Sequence, residues 1–287
     1  MTHFADQADP RCVPVIANDR LAKDTYRVRI AAGDVAARAV PGQFFMLRMA
    51  GTNDPLIGRA LALFDRCIDP VSPSSTTMDL VYLVKGKFTS RLAQASSGDL
   101  VELCGPLGNG FSTTKVDHLI IVAGGIGQTP FLALAREALG REQFGDPKLS
   151  RPHGYAGRVS FCYGVRSAEY LAEVARFEEA GVELHIATED GSIGPAQRVT
   201  APLEKLLKEN GDATCRVVCC GPEPMMAAVA TLAQSWHVPC EVSLETPMAC
   251  GIGICFTCVA RIGSTQDWDY KRTCVEGPVF DAQSIVW

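Results

Sequence analysis

Four cysteines near the end of the chain stand at spacings that suit cluster ligation. Met248-Ala249-Cys250-Gly251-Ile252-Gly253-Ile254-Cys255-Phe256-Thr257-Cys258 carries three, and Cys274 follows after a further fifteen residues. Cys-x4-Cys-x2-Cys…Cys is the plant-type arrangement around a 2Fe–2S cluster. Two irons need four thiolates, two apiece. A short loop can wrap three sides while the fourth ligand returns from elsewhere. Gly251 and Gly253 suit such a loop, because a chain curling round inorganic sulfides needs positive φ and bare N–H groups aimed at the sulfurs. Structural zinc and disulfides are the alternatives. Zinc sites usually pair two Cys-x2-Cys units, and here there is one. Disulfides conflict with a reducing compartment.

A second pattern suits anion binding. His118-Leu119-Ile120-Ile121-Val122-Ala123 reads as an apolar strand, and Gly124-Gly125-Ile126-Gly127-Gln128-Thr129-Pro130 leads from it into a helix. Backbone N–H groups and the positive helix end at such a turn can face a pyrophosphate. The turn departs from the G-x-G-x-x-G fingerprint, and a tight structural turn is the alternative. Cys220-Gly221-Pro222-Glu223-Pro224-Met225 likewise follows a strand and opens a helix. Two such turns can face one ligand at the carboxyl edge of a parallel sheet.

These residues need three kinds of scaffold. Residues 1–112 hold short β-rich runs (Cys12–Ala17, Tyr26–Ile30, Gln43–Met49, Ala60–Phe64, Met78–Val84, Leu100–Cys104) separated by Gly, Pro, Asn and Asp turns, which predicts an antiparallel β-barrel or sandwich. Gly105–Phe111 reads as a seam. Residues 113–239 alternate strands and helices: His118–Ala123, Pro130–Leu139, Arg158–Tyr163, Ala168–Ala180, Glu183–Thr188, Ala201–Glu209, Arg216–Cys220 and Glu223–Ser235. That alternation predicts a parallel-sheet α/β domain, with 141–157 as a surface loop. Residues 240–287 are too few to bury a core alone and must fold around a cluster or against a neighbour. The fold class is a multidomain β plus α/β chain with a small C-terminal 2Fe–2S domain.

Composition narrows the function. The 287 residues carry a formal net charge of −5, with 47% hydrophobic and 21% charged residues. No basic footprint marks a nucleic-acid partner. The N-terminal stretch has no basic segment before an apolar run, and no apolar run nears the ~18–20 residues of a membrane span, so a soluble, cytoplasmic protein is expected. Cys12, Cys67, Cys104, Cys162, Cys215, Cys219, Cys220 and Cys240 read as buried thiols acting as small hydrophobes. The histidines at 3, 118, 153, 185 and 237 show no ligand spacing.

Gly-Gly-Ile-Gly-Gln-Thr-Pro at 124–130 and Cys-Gly-Pro-Glu-Pro-Met at 220–225 resemble the nicotinamide domain of ferredoxin–NADP reductase-like proteins. Pro41-Gly42-Gln43-Phe44 and Gly105-Pro106-Leu107-Gly108 resemble markers of their flavin barrel. The cysteine segment, followed by Tyr270-Lys271-Arg272-Thr273-Cys274-Val275-Glu276-Gly277-Pro278-Val279-Phe280, closely resembles one branch, the electron-transfer subunits of class B, NAD-dependent dihydroorotate dehydrogenases. The resemblance runs from about residue 12 to about 285. It implies FAD in the barrel, NAD in the second domain and a 2Fe–2S cluster held by Cys250, Cys255, Cys258 and Cys274. The family's Arg-Pro-x-Ser flavin motif stands here as Arg59-Ala60-Leu61-Ala62, which keeps the cation and loses the hydroxyl. A second flavin segment resembles Tyr82-Leu83-Val84-Lys85-Gly86-Lys87-Phe88-Thr89, with Phe88 where glycine is common and Thr89 as a phosphate ligand. The dinucleotide residues implied are Gly124, Gly125, Ile126, Gly127, Gln128, Thr129, Pro130, Cys220, Gly221 and Pro222.

The resemblance also implies a partner, an FMN-containing catalytic subunit that oxidises dihydroorotate in pyrimidine biosynthesis, in a heterotetramer of two of each. Single electrons would pass through the cluster to FAD, and a hydride from FAD to NAD⁺. Arg166-Ser167 could meet a 2′-phosphate while Glu189-Asp190 would disfavour one, and the resemblance points to NAD. No catalytic proton carrier is identified, although Glu245 is the candidate to lie near the flavin, the alternative being an exposed or capping carboxylate. Two other readings stand beside this one. The first is the flavin subunit of a ferredoxin–NAD(P) reductase or sulfur-reducing hydrogenase complex, against which Cys250 counts because the first ligand there is often aspartate. The second is a non-enzymatic redox-sensing module. Metal analysis of the purified protein is expected to give about two iron atoms per chain, beneath flavin absorption bands. Zinc in their place would remove the cluster.

Overall fold

The computed structural model describes residues 8–67, 75–146 and 150–287. His3 and residues 147–149 of the anticipated surface loop lie outside these.

The first segment forms a seven-stranded antiparallel sheet from β1 (Asp9–Ala22), β2 (Thr25–Ile30), β3 (Phe44–Met49), β4 (Arg59–Ala62), β5 (Asp65–Cys67), β6 (Thr77–Leu83) and β7 (Leu100–Leu107). Two short helices, α1 (Gly33–Arg38) and α2 (Lys87–Leu92), interrupt it. The strand order is β4-β3-β7-β1-β2-β6-β5. Long β1 makes the bend. Its first half pairs with β7 (Asp9↔Gly105 to Pro14↔Leu100) and its second with β2, with the register shifting between Val15 and Ala17. A bulge there turns one strand from one ladder into the other. The edge strands β4 and β5 are joined only by Leu63 and Phe64, and no ladder closes the ring among the described residues. The expected barrel is therefore a curled, open sheet. Its concave face holds Val28, Ile30, Phe45, Leu47, Leu80 and Phe88.

The second sheet has the order β10-β9-β8-β11-β12-β15, from β8 (Val116–Gly124), β9 (Ala156–Val165), β10 (Glu183–Thr188), β11 (Cys215–Cys220), β12 (Cys240–Ser243) and β15 (Val279–Asp281). The first five are parallel, and β15 runs antiparallel on β12 (Val242↔Phe280). Helices α3 (Phe131–Ala138), α4 (Val174–Glu179), α5 (Thr200–Glu209) and α6 (Glu223–Ser235) cover it. In β8, Leu119, Ile121 and Ala123 enter the core beside α3, while Ile120 and Val122 enter the one beneath α5 and α6. This two-faced burial makes the strand read as an unbroken apolar run. The tail adds a hairpin of β13 (Val259–Gly263) and β14 (Trp268–Arg272).

Several expectations need correction. The tail is not folded apart from its neighbour, because β12 and β15 pair within the second sheet. Gly105-Pro106-Leu107 continue β7 instead of forming a seam; a Cβ on Gly105 would sit 2.4 Å from the Phe45 ring. The helix expected over Ala168–Ala180 is broken. A 3₁₀ turn at Ala168–Tyr170 precedes α4, with Glu173 between them at φ 59°. Glu173 ion-pairs with Arg27 (2.9 Å) and Glu169 with Lys23 (2.8 Å), so this segment follows the first sheet rather than its helical period. The 141–157 loop is not wholly superficial. Phe144 and Tyr155 are buried, and Arg151 pairs with buried Glu137 at 2.7 Å. Cys162, Cys219, Cys220 and Cys240 are buried as expected, but Cys12 and Cys67 are exposed.

The two sheets dock through one core and one ion network. Phe64 of the first segment meets Phe177 edge-on at 6.3 Å. Asp65, fully buried, accepts from Arg136 (2.7 Å) and Arg176, and Arg176 reaches on to Asp79 (3.0 Å), which also holds Arg29 (2.7 Å). Burial raises the Asp65 carboxyl against the pull of Arg136 and Arg176. At Asp79 burial acts the same way, but the Arg29 hydrogen bonds outweigh it and hold the group low. Asp65→Ala leaves two arginines without their shared carboxylate and is expected to cost about 3 kcal/mol, measured as an earlier first transition in urea.

Candidate functional site

The strand order of the second sheet reverses between β8 and β11, where open α/β sheets place their ligands beyond the strand ends. The two glycine-bearing turns found in the sequence leave these two neighbouring strands (Ala123↔Cys220). A 3₁₀ turn, Gly125–Gln128, stands between β8 and α3. The turns touch. A Cβ on Gly127 would lie 2.3 Å from the Cys220 carbonyl oxygen, and one on Gly221 2.9 Å from the Gly124 nitrogen. Gly125, at φ 55°, faces open space. Gln128 is fully buried, and both ends of its amide lack a hydrogen-bond partner among the described residues.

Against this edge opens a cavity of about 720 Å³, walled by all three segments. Arg59, Ala60, Leu61, Ala62, Leu83, Lys85 and Thr89 contribute from the first sheet, and Ile126, Thr129, Pro130 and Cys220 from the second. The stretch Ser243–Ala249 crosses from the end of β12 towards the cysteines and forms another wall. Such a volume suits a large organic cofactor. Arg59 and Lys85 form no ion pair among the described residues, which leaves two cations for a diphosphate.

Three expected residues play other parts. Phe88 is 1% exposed and packs in the core of the first sheet, and it does not line the cavity. Val84 packs on that core as well. The Thr89 hydroxyl accepts from the Lys85 and Gly86 N–H groups (3.0 and 3.1 Å) and donates to the Gly86 carbonyl, which ties it to the start of α2. Gly124, Gly125, Gly127, Gln128, Gly221 and Pro222 form the turns beside the cavity rather than its lining. Of the wall formed by Ser243–Ala249, sequence reasoning placed only Glu245 near the flavin; Ser243, Leu244, Thr246 and Pro247 stand in no motif that it identified.

The four cysteines come together as two pairs. Cys258 donates to Cys274 across 3.1 Å, and Cys250 hydrogen-bonds Cys255. Cys258 and Cys274 are buried against Phe44, Met46 and Leu107 of the first sheet, while Cys255 is exposed. Among the described residues no three His, Cys, Asp or Glu side chains converge on a single-ion site. Two thiol pairs are the donor set of a binuclear cluster. Gly251 and Gly253 adopt φ 73° and 83°, and a Cβ on them would lie 2.6 Å from Met46 and 2.5 Å from Val275. The Gly253 N–H points at the Cys274 sulfur, and the Thr257 and Cys250 N–H groups at that of Cys255. The Thr257 hydroxyl, 3.2 Å from the Cys255 sulfur, helps push that thiol down to about 6. Burial, aided by Cys258, pushes Cys274 up to about 12. Thr257 also lines the cavity, so one residue touches both sites.

Two family models match the chain. Residues 245–286 match the iron-sulfur cluster binding domain of dihydroorotate dehydrogenase B, and residues 121–231 an oxidoreductase NAD-binding domain. Among curated relatives, the electron transfer subunit of dihydroorotate dehydrogenase B (NAD(+)) from Desulforamulus reducens is 35% identical over 95% of this chain and 97% of its own length. Its counterpart from Clostridium acetobutylicum is 33% identical over 95% of each. Among solved structures, an NADH-dependent reduced ferredoxin-NADP oxidoreductase is similar over 96% of this chain and 90% of that one, with TM-score 0.77 and 26% identity. The ferredoxin-NADP⁺ reductase of Plasmodium falciparum shares the fold, with TM-score 0.60 and 14% identity over 81% of this chain and 96% of that one.

Gly253→Ala would set a methyl against Val275 at a left-handed φ, a strain of about 1–3 kcal/mol. The expected result is a lower iron content per chain and faster loss of visible absorbance in air, with far-ultraviolet circular dichroism retained.

Proposed function

Since the chain belongs to the family of electron-transfer subunits of NAD-dependent dihydroorotate dehydrogenase B, we propose that its three segments hold a 2Fe–2S cluster, FAD and NAD(H) in series and carry electrons from an FMN-bearing partner to NAD⁺. The observation that carries this reading is the cavity wall that the segments share. Thr257 and Met248 lie on both the cavity and the cysteine loop, and Ile126, Thr129 and Cys220 bring the dinucleotide edge to the same space. Bound there, FAD converts single electrons from the cluster into the hydride that nicotinamide accepts.

The chain's residues supply position and charge. Cys250 with Cys255, and Cys258 with Cys274, are the two ligand pairs, one for each iron. Arg59 and Lys85 are placed to hold the flavin diphosphate, with Ala60, Leu61, Ala62 and Leu83 along the ring system. With a hydroxyl absent at Ala62, the bond it would make in related barrels falls to backbone. The backbone of Gly124–Pro130 and Cys220–Pro222 takes the dinucleotide diphosphate at the sheet edge. The Asp190 N–H bonds the Arg166 carbonyl, so the turns after β9 and β10 lie side by side. The Glu189 and Asp190 carboxylates at that place oppose a 2′-phosphate and favour NAD over NADP. Ile254 and Phe256, 74% and 61% exposed on either side of Cys255, support a partner-facing cluster. The assembly proposed is a heterotetramer of two chains of each kind. No helix among the described residues is long and apolar enough to cross a membrane.

Co-purification with the FMN-containing subunit, followed by a dihydroorotate–NAD⁺ assay, tests the reading. NAD⁺ reduction is expected only when both subunits are present. Cys255→Ser should abolish it while keeping FAD and NADH–dye activity. A pair that reduces NAD⁺ no faster than the partner alone would overturn the proposal.

A further inference from the structure

At the edge of the second sheet opposite the dinucleotide turns, a buried imidazole stands in a polar network. His118 at the start of β8 and Ser160 on β9 are fully buried, and Asn210, just past α5, is almost so. Nδ1 of His118 lies 2.9 Å from Asn210 Oδ1, and Nε2 lies 2.8 Å from Ser160 Oγ. Ser160 Oγ stands 3.0 Å from Glu183 Oε2, at the start of β10. The Glu183 side chain is 56% exposed, so this chain of contacts runs from solvent to a buried ring.

The number of hydrogens decides what the ring can carry. The Asn210 amide donates to the Ala213 carbonyl (2.6 Å), and its oxygen accepts from Arg158 (3.4 Å). That oxygen therefore faces the ring as an acceptor, and Nδ1 is the donor. A neutral ring with its hydrogen on Nδ1 only accepts at Nε2, so Ser160 must donate to it. A hydroxyl holds one hydrogen and an ionised carboxylate only accepts, which leaves nothing between Ser160 and Glu183. In a doubly protonated ring Nε2 donates to the Ser160 oxygen, and the hydroxyl turns its hydrogen to Glu183. The same heavy-atom positions serve both states.

We infer that Glu183, Ser160 and His118 form a proton relay, a switch by which the second sheet takes up a proton at this edge without rearranging. A proton from solvent bonds to Glu183 and moves on to the Ser160 oxygen. The hydrogen which that oxygen already held leaves it for Nε2. One O–H bond forms at the hydroxyl as another breaks, and the net change is a new N–H bond on the ring. In the charged state two charge-assisted hydrogen bonds tie the Glu183 carboxylate to the sheet. In the neutral state that carboxylate is released to water.

The charged or titratable groups facing the ring are Arg158 from β9 and Glu183 and His185 from β10. Cys215 is its register neighbour on β11. Burial holds the ring below the ordinary histidine value; Arg158 and His185 act in the same direction, and Asn210 and Glu183 oppose them. The folded chain thus takes this proton at lower pH than the unfolded chain. The stability concerned is fully present above the unfolded value and falls as pH drops through it. The fall ends below the folded value, where both forms carry the proton.

Nitrogen NMR of the histidine rings in the complete, cofactor-loaded chain reads these states. At neutral pH His118 is expected to carry its hydrogen on Nδ1, and in acid on both nitrogens, with far-ultraviolet circular dichroism unchanged. Ser160→Ala removes the acceptor of the second hydrogen. The protonated fraction of the ring at a fixed acidic pH is then expected to fall about tenfold. The deficit in urea midpoint against wild type should grow as pH falls, whereas a purely structural hydroxyl gives the same deficit at every pH. Glu183→Gln keeps an acceptor without the charge and should lower the protonated fraction by less. Should Ser160→Ala fail to fold, an unchanged protonated fraction in Glu183→Gln overturns the relay. A pH-independent deficit overturns it too, as does a hydrogen on Nε2 at neutral pH, or a wild-type chain that unfolds as the ring is protonated.

Discussion

Cys258 and Cys274 are buried not in a core of their own but against Phe44, Met46 and Leu107, side chains of the first sheet. The tail is too short to enclose a cluster alone, so it borrows a wall. Gly251 makes the approach possible, because any side chain there would strike Met46. The same β3 whose Met46 supports the cysteine loop turns Phe44 towards the cavity. The nearness of the cysteine loop to the cavity thus follows from a packing requirement, since that loop can be dry only where the sheet already is.

The dinucleotide edge is held to this wall by charge as much as by apolar contact. Asp65 and Asp79 are almost fully buried where the two sheets meet, and Arg29, Arg136 and Arg176 reach them from both sides. Removing any one partner would strand a buried charge, so the network resists relative sliding of the sheets more than it adds to stability. The largely buried Arg27–Glu173 pair and the exposed Lys23–Glu169 pair extend the same logic outwards, at the expense of a helix that the local sequence would otherwise continue.

What the sequence made legible follows from the range of the forces involved. The cysteine spacing, the glycine turns and the long two-faced strands such as β8 are local patterns, and each is found where expected. The exact extent of α6, Glu223–Ser235, was legible because a proline-bearing N-terminus and an apolar face mark it. β12 and β15, four and three residues long, have no period of their own. They become strands because β11 offers an open edge to β12 and β12 then offers one to β15. Phe88 and the Thr89 hydroxyl illustrate the same limit at the site. A motif position can be read from order along the chain, but whether its side chain faces cavity or core depends on the curl of a sheet whose strands are distant in sequence.

The placement of β12 and β15 has a consequence for the site. Cys240–Ser243 is anchored in the second sheet, and Val279–Asp281 returns to pair with it, so the whole cysteine segment is a loop stitched at both ends to the dinucleotide domain. Residues 243–249 must then cross the cavity mouth to reach Cys250. A wall made this way is continuous in chain, fixed behind by sheet hydrogen bonds, and would be fixed in front by cluster ligation. Loss of the cluster would free only the front, leaving Ser243 and Cys220 in place while Met248 and Ala249 loosen. The cavity is accordingly held by two constraints of different strength, and the part next to the dinucleotide turns is the more permanent one.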